Sequence, residues 1–226
     1  MQSISSEARW FFRGNMPDLA GFAGALGTVE GERTDEYLWL PPCTSGGIKL
    51  REGKFEIKLL LDGPTKVTYG GSSSGYKDSW IKWSISAKDK SGSESIQAEK
   101  RDIFRRIITQ PGSSWVFVRK ERALRKFAIV DGVPTEAEAS GRVDGEGCQA
   151  ELTSIRVLAK HEGARPTGRD WSDAETHWSL SFEAFGDDHD RNLDVTANQV
   201  LPDYPGLEFC LANSLSYPAW LLTAGQ

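Results

Sequence analysis

The chain has 226 residues, 38% apolar and 26% charged, with eight Trp and ten Phe. That mixture suits one large, mainly β domain over residues 1–226 and excludes the apolar-poor, one-signed composition of a disordered chain. A net charge of −5 argues against a protein that coats duplex nucleic acid, which needs a basic surface excess.

Cys43, Cys148 and Cys210 are odd in number, widely separated and without CxxC spacing. Neither a disulfide framework nor a zinc knuckle is supported, and the thiols are expected to be free and buried. The start, MQSISSEARWFFRG, lacks a basic segment followed by an apolar one, and no run is long enough for a membrane span. The expected setting is the reducing cytoplasm, with no membrane partner.

In chain order, SISSEARWFFRG reads as an aromatic-rich first strand ending at Gly14-Asn15, and MPDLAGFAGALG as a short helix with Pro17 near its start. TVEGERTDEYLWL, GGIKLREG and FEIKLLLDG read as three successive strands, the glycine of REGK marking a tight turn. The glycine- and serine-rich stretch 62–78 is expected to be an exposed loop before the strand DSWIKWSISAKD. In AEKRDIFRRIITQ, Ile103, Phe104, Ile107 and Ile108 have the spacing of a helix packed on a sheet.

SSWVFVRKE and RALRKFAIV follow as strands, then the acidic connection 131–147, too polar for a core. CQAELTSIRVLAK and ETHWSLSFEAFG are two more strands; HDRNLDVTANQVL and LEFCLANSLSYPAWLL read as helices, the second interrupted near Pro218. In the first of these, Asp188, Asp190 and Asn192 alternate as in a calcium loop, but Leu193 stands in place of the turn glycine, so an acidic helix start is expected. About nine strand segments with few helices point to an eight-stranded antiparallel sheet closed into a barrel or tunnel, with a few flanking helices.

The chemistry lies in the alternation within these strands. Lys49 and Arg51, Glu56 and Lys58, and Lys120 and Arg122 are each two residues apart, so on a strand each pair shares a face at roughly 6.5–7 Å. If the sheet closes with these faces inward, Arg9, Lys49, Arg51, Lys58, Lys82, Lys120 and Arg122 surround a cavity. Glu7, Glu151 and Glu183 then join from the first and the last two strands. Guanidinium forks and compact ammonium groups suit a phosphate chain, and clustered carboxylates suit Mg2+ or Mn2+. A one-residue slip around position 120 would present Arg119 and Glu121 instead.

EARWFF, RTDEYL, GIKLREG, FEIKLL, WIKW, VRKER, AELTSI and WSLSFEAFG, in that order along nearly the whole chain, resemble the CYTH superfamily, the triphosphate tunnel metalloenzymes. The resemblance implies an eight-stranded antiparallel tunnel acting on a small phosphorylated anion with a divalent metal. It also implies that Lys49, Arg51, Lys58, Lys120 and Arg122 contact phosphate, and that Glu7, Glu151 and Glu183 hold metal. The ExExK strand of that family is incomplete here: Arg9 stands at the second glutamate and Phe11 at the lysine. Thr153 and Phe185 occupy positions where a second glutamate often stands on the closing strands. A cation in place of a metal ligand lowers metal affinity, so a metal-dependent phosphohydrolase is weighed against a tunnel that binds polyphosphate without turnover. From the residues alone, a half-buried sheet with outward charge is a third arrangement, serving a protein-interaction or small-ligand-binding barrel.

Overall fold

The computed structural model describes residues 2–14, 17–51, 54–86, 115–161, 171 and 174–224. The helix expected around Ile103, Phe104, Ile107 and Ile108 lies outside the described residues. The strands are β1 (Gln2–Arg13), β2 (Thr28–Leu38), β3 (Gly46–Arg51), β4 (Lys54–Tyr69), β5 (Ser73–Ser86), β6 (Trp115–Val130), β7 (Val133–Ala137), β8 (Gly147–His161) and β9 (Thr176–Phe185). The helices are α1 (Leu19–Ala23), α2 (His189–Val200) and α3 (Tyr217–Ala224), with a 3-10 turn at Leu201–Asp203. Hydrogen bonding runs β2-β3-β4-β5-β1-β9-β8-β6, and β2 returns to pair with β6. The result is a closed, eight-stranded antiparallel barrel with β7 added on the C-terminal half of β6. Closure removes the sheet edges that an open meander would leave unpaired.

The barrel has its main apolar core on the outside. Ala8 and Trp10 of β1, Cys148, Ala150 and Leu152 of β8, and Trp178, Leu180, Phe182 and Ala184 of β9 form one buried cluster with Phe22 and Ala23 of α1 and Leu193, Ala197 and Val200 of α2. Each of these strands contributes alternate residues, so the intervening ones point into the barrel. The N-terminus of α2 is fixed by Glu146, which accepts from the backbone N–H groups of Asp187 (2.8 Å) and Asp188 (3.2 Å). The Asp188, Asp190 and Asn192 alternation thus opens a helix: Asp188 is its N-cap residue, and Asn192 donates to the Phe185 carbonyl at 3.0 Å.

One end of the barrel is sealed by the C-terminal segment. β5 pairs with β1 only as far as Ala8; beyond it, Phe11 N–H donates to the Asn213 carbonyl (2.8 Å) and Leu215 N–H to the Arg9 carbonyl (3.2 Å). α3 then lays Trp220 flat on the inward-facing Phe11, with ring centroids 4.4 Å apart and planes within 2°. Among the described residues no helix is long and apolar enough to cross a membrane.

Several local expectations change. Residues 62–78 are the continuing β4 and the start of β5, turning at Gly70-Gly71, whose positive φ angles suit glycine; Tyr69 is buried near α2. Residues 115–130 form one strand, not two, and 131–147 contains β7 and the buried Ala139. Pro218 does not interrupt a helix but sits in the first turn of α3, where its missing N–H costs nothing; residues 204–216 before it are mostly irregular. All three cysteines are free, but only Cys148 is buried; Cys43 is exposed.

The outer core sets a sharp steric limit at Gly75, where a Cβ would lie 2.5 Å from Trp10 Cζ2 and 3.0 Å from Ser214 Oγ. Trp10 is fully buried and its indole N–H donates to the Ser74 carbonyl at 2.8 Å. Gly75→Ala is therefore expected to cost roughly 1–3 kcal/mol, read as a lower urea midpoint at unchanged slope. An unchanged midpoint would mean that the indole yields without cost.

Candidate functional site

The inward residues meet in one cavity of about 170 Å³. All seven cations singled out from the sequence line it: Arg9, Lys49, Arg51, Lys58, Lys82, Lys120 and Arg122. So do Glu7, Glu151 and Glu183. The register on β6 places Lys120 and Arg122 inside, whereas Arg119 approaches Glu32 (3.4 Å) and the Trp171 ring (4.4 Å to its centroid).

Four further ionised groups complete the set. Arg33 and Glu56 line the same cavity, while Asp35 and Glu30 hold its cations from behind. Asp35 is the deepest, with a fully buried side chain. Arg51 donates to it through Nε (2.7 Å) and a terminal nitrogen (2.9 Å), Lys120 Nζ lies 3.2 Å away, and Tyr37 donates to it at 3.3 Å. Burial opposes its charge, yet Lys120 and Arg51 outweigh that and hold the carboxyl far below the usual range. The same contact pushes Arg51 upward despite burial. Burial, with Lys49 and Arg51 nearby, drives Lys120 down even against Asp35. Lys120 is further held by Tyr37 Oη (2.8 Å) and by the Tyr217 ring of α3, 3.9 Å to its centroid.

A second group surrounds Glu151. Arg122 bridges it (2.5 Å) to Glu30 (2.6 Å), Arg9 stands 3.6 Å away, and Thr153 donates to it at 2.8 Å. Burial works against the charge of Glu151, but Arg9 and Arg122 keep it well below the usual carboxylate range. Ser179 accepts from Arg9 at 2.9 Å, so a small polar residue leaves space where a larger one would fill the barrel.

The third group is a set of Lys–Glu pairs: Lys49 with Glu56 (2.6 Å), Lys58 with Glu7, and Lys82 with Glu183 (3.1 Å). Side-chain exposure rises from 7% at Lys120 to 30% at Lys82 and 39% at Glu183. Burial notwithstanding, Lys82 and Lys58 bring Glu183 down to about 2.

The three glutamates named as metal ligands thus share the cavity, Glu7 lying directly opposite Glu183 across β1 and β9. Each is claimed by a different cation, and among the described residues no group of three His, Cys, Asp or Glu side chains could hold a metal ion. Mg2+ takes one or two carboxylates together with waters and substrate phosphates; here each candidate carboxylate is already paired with a Lys or Arg, and that positive charge opposes a cation at the same oxygens.

No protein-family model matches this chain, and no curated protein does.

Sequence reading omitted Asp35, Glu30, Arg33, Tyr37 and Tyr217. Arg33, Asp35 and Tyr37 carry the same two-residue alternation within RTDEYL as the cations that were named. Glu30 escapes that pattern because a bulge shifts the β2–β6 register between Glu30 and Arg33. Tyr217 arrives from a distant helix with no local signal. Its hydroxyl is buried, and that burial, with Asp35 and Glu151 nearby, holds it well above the usual phenol range despite Arg9.

Asp78, within the stretch expected to be a loop, is buried and paired across strands with Glu7. Burial and the Glu7 charge raise it from 3.8 to about 6, against a partial offset from Lys58. Between those values the folded state holds more protons than the unfolded one, so stability falls as pH rises through that window. Asp78→Asn is expected to stabilise the protein by roughly 2–3 kcal/mol at pH 8 and to do little at pH 3.5. Urea denaturation at the two pH values checks this, and equal effects would count against it. Asp35→Asn, which leaves Arg51 and Lys120 without their shared counter-charge, is expected to cost about 3–5 kcal/mol. In calorimetry that is on the order of 10 °C in melting temperature for a chain of this size.

Proposed function

We propose that the barrel binds a small polyphosphate-containing anion, inorganic triphosphate or the phosphate chain of a nucleotide, in its charged interior. One observation carries this reading: cations from six strands, Arg9, Arg33, Lys49, Lys58, Lys82 and Lys120 among them, line a single cavity. Arg51 and Arg122 bring the basic groups there to eight, against four lining carboxylates, Glu7, Glu56, Glu151 and Glu183. Even with Glu30 and Asp35 behind the wall, the basic groups outnumber the acidic ones, although the whole chain is acidic. A field of one sign inside low-dielectric walls attracts compact polyanions, and Arg with Lys supplies both forked and point-like phosphate contacts. The resemblance to the triphosphate tunnel superfamily agrees with the closed antiparallel barrel and its basic lumen, but a fold alone does not assign a reaction. Because Glu7, Glu151 and Glu183 are each paired with a basic group, the reading is of a binder without metal-assisted hydrolysis.

The test is thermal unfolding with millimolar tripolyphosphate at low salt. At a hundredfold excess over Kd the expected stabilisation is about 2.7 kcal/mol, or roughly 5–10 °C for a chain this size, weakening as salt rises. Replacing Lys58 and Lys82 together by Gln, at the more exposed wall, is expected to remove most of the shift. No shift in the unaltered protein would reject polyphosphate binding; phosphate release above blank with added Mg2+ or Mn2+ would restore the hydrolase reading.

A second reading, a protein-interaction barrel, is favoured by one feature of the outer wall. Leu59, Ile81 and Ile4 lie directly across from one another on β4, β5 and β1. Leu59, Ile4, Leu61 and Ile85 are 40–52% exposed. Concentration-dependent sedimentation that Leu59→Lys abolishes would support it.

A further inference from the structure

The arrangement of the Lys–Glu pairs says how an anion would be admitted. Across the strands, Lys58 lies directly opposite Lys82 on β4 and β5, and Glu7 directly opposite Glu183 on β1 and β9. Directly paired residues of one sign repel at roughly 4.5–5.5 Å between Cβ atoms. Two like pairs therefore stand side by side, and each relieves the other: Lys58 reaches Glu7, and Lys82 reaches Glu183 at 3.1 Å. Either like pair taken alone would be an ion site. The lysine pair is a clamp for a doubly charged anion, and the glutamate pair supplies carboxylates toward a cation. The observed pairing cancels both.

The two pairs are unequal in what surrounds them. Arg9 stands two residues after Glu7 on β1, and Arg122 with Arg9 already neutralises Glu151 beyond it. A divalent cation approaching Glu7 and Glu183 would meet Lys58 and Lys82 at hydrogen-bonding distance and Arg9 on the same face of β1. An anion approaching Lys58 and Lys82 meets a cavity wall with a cationic excess and displaces two carboxylates, of which Glu7 shares its face of β1 with Arg9. Lysine heads on flexible stems exchange partners readily, unlike the forked Arg51–Asp35 contact.

We infer that the cavity takes its phosphate chain without a divalent metal, Lys58 and Lys82 forming the receiving clamp and Glu7 and Glu183 acting as built-in counter-ions that the phosphate displaces. This rests on the polyphosphate reading above, and it reverses the role that a metal-dependent tunnel gives these glutamates. There they attract the metal–phosphate complex; here they compete with the phosphate.

The test is titration calorimetry with tripolyphosphate on the full chain, in EDTA and in excess Mg2+, for the unaltered protein and for the Glu7→Gln and Glu183→Gln variants. Gln keeps the side chain's shape, and the far-ultraviolet circular dichroism of each variant verifies folding. The expected result is binding in EDTA at least as tight as in Mg2+. Each Glu→Gln change is expected to tighten it by about five- to tenfold, the loss of one weak competing ion pair. Binding that requires Mg2+, or that either variant weakens or leaves unchanged, overturns the inference while leaving polyphosphate binding in place. Absence of binding under every condition overturns the polyphosphate reading and this inference with it.

Discussion

A barrel that encloses charge exists only if every enclosed charge is answered. Transferring an unpaired carboxylate or ammonium out of water costs several kcal/mol even after relaxation, and this interior holds eight cations together with Glu7, Glu56, Glu151 and Glu183. Asp35 is where the constraint is tightest. It has no contact with solvent, and Arg51, Lys120 and Arg33 all approach it. Without it those basic groups would be desolvated next to one another. Lys120, Arg51 and Tyr37 all converge on this one carboxylate of β2.

The second consequence of a charged interior is that the hydrophobic effect must operate elsewhere. Here it works on the outer wall, where β1, β8 and β9 present Trp10, Leu152, Leu180 and Phe182 to α1, α2 and the chain after α2. At the sealed end apolar groups do enter the barrel, where Phe11, Val116 and Val118 meet Trp220 and Leu221. Strands such as β9 are therefore buried on both faces for different reasons. Trp178, Leu180 and Phe182 pack outward, while Ser179 and Ser181 face inward and leave the arginines room. An ordinary sandwich would reverse the polarity of the two faces.

Much of this was legible in the sequence because strand alternation is a direct geometric code. GIKLR, FEIKLL and VRKER state which side chains share a face, and closure of the sheet turns that face inward. The code fails where the chain departs from regular pairing. The bulge between Glu30 and Arg33 hides Glu30 from a period-two reading. Bulges around Asp62 and the composition of DGPTKVTYGG make the long β4–β5 hairpin resemble a loop, which conceals Asp78 beside Glu7. Charge sign along a strand also does not report pairing between strands. Glu7, Glu151 and Glu183 do share the lumen, but whether they cluster or separate depends on Lys58, Lys82 and Arg122 arriving from other strands. Tyr217 was beyond reach, since only tertiary structure brings it over Lys120.

The pairing of β1 has a bearing on how the molecule comes together. Its first half finds β5 about 70 residues downstream, its second half pairs with β9, and its remaining edge waits for Asn213–Leu215 near the other end of the chain. A ribosome that releases β1 first releases its last neighbour some 200 residues later. Until then a strand carrying Trp10, Phe11 and Phe12 stays incompletely matched, and contacts of such long separation form slowly. Full enclosure of β1 is thus a late event, and until then Trp10, Phe11 and Phe12 are exposed to misassociation.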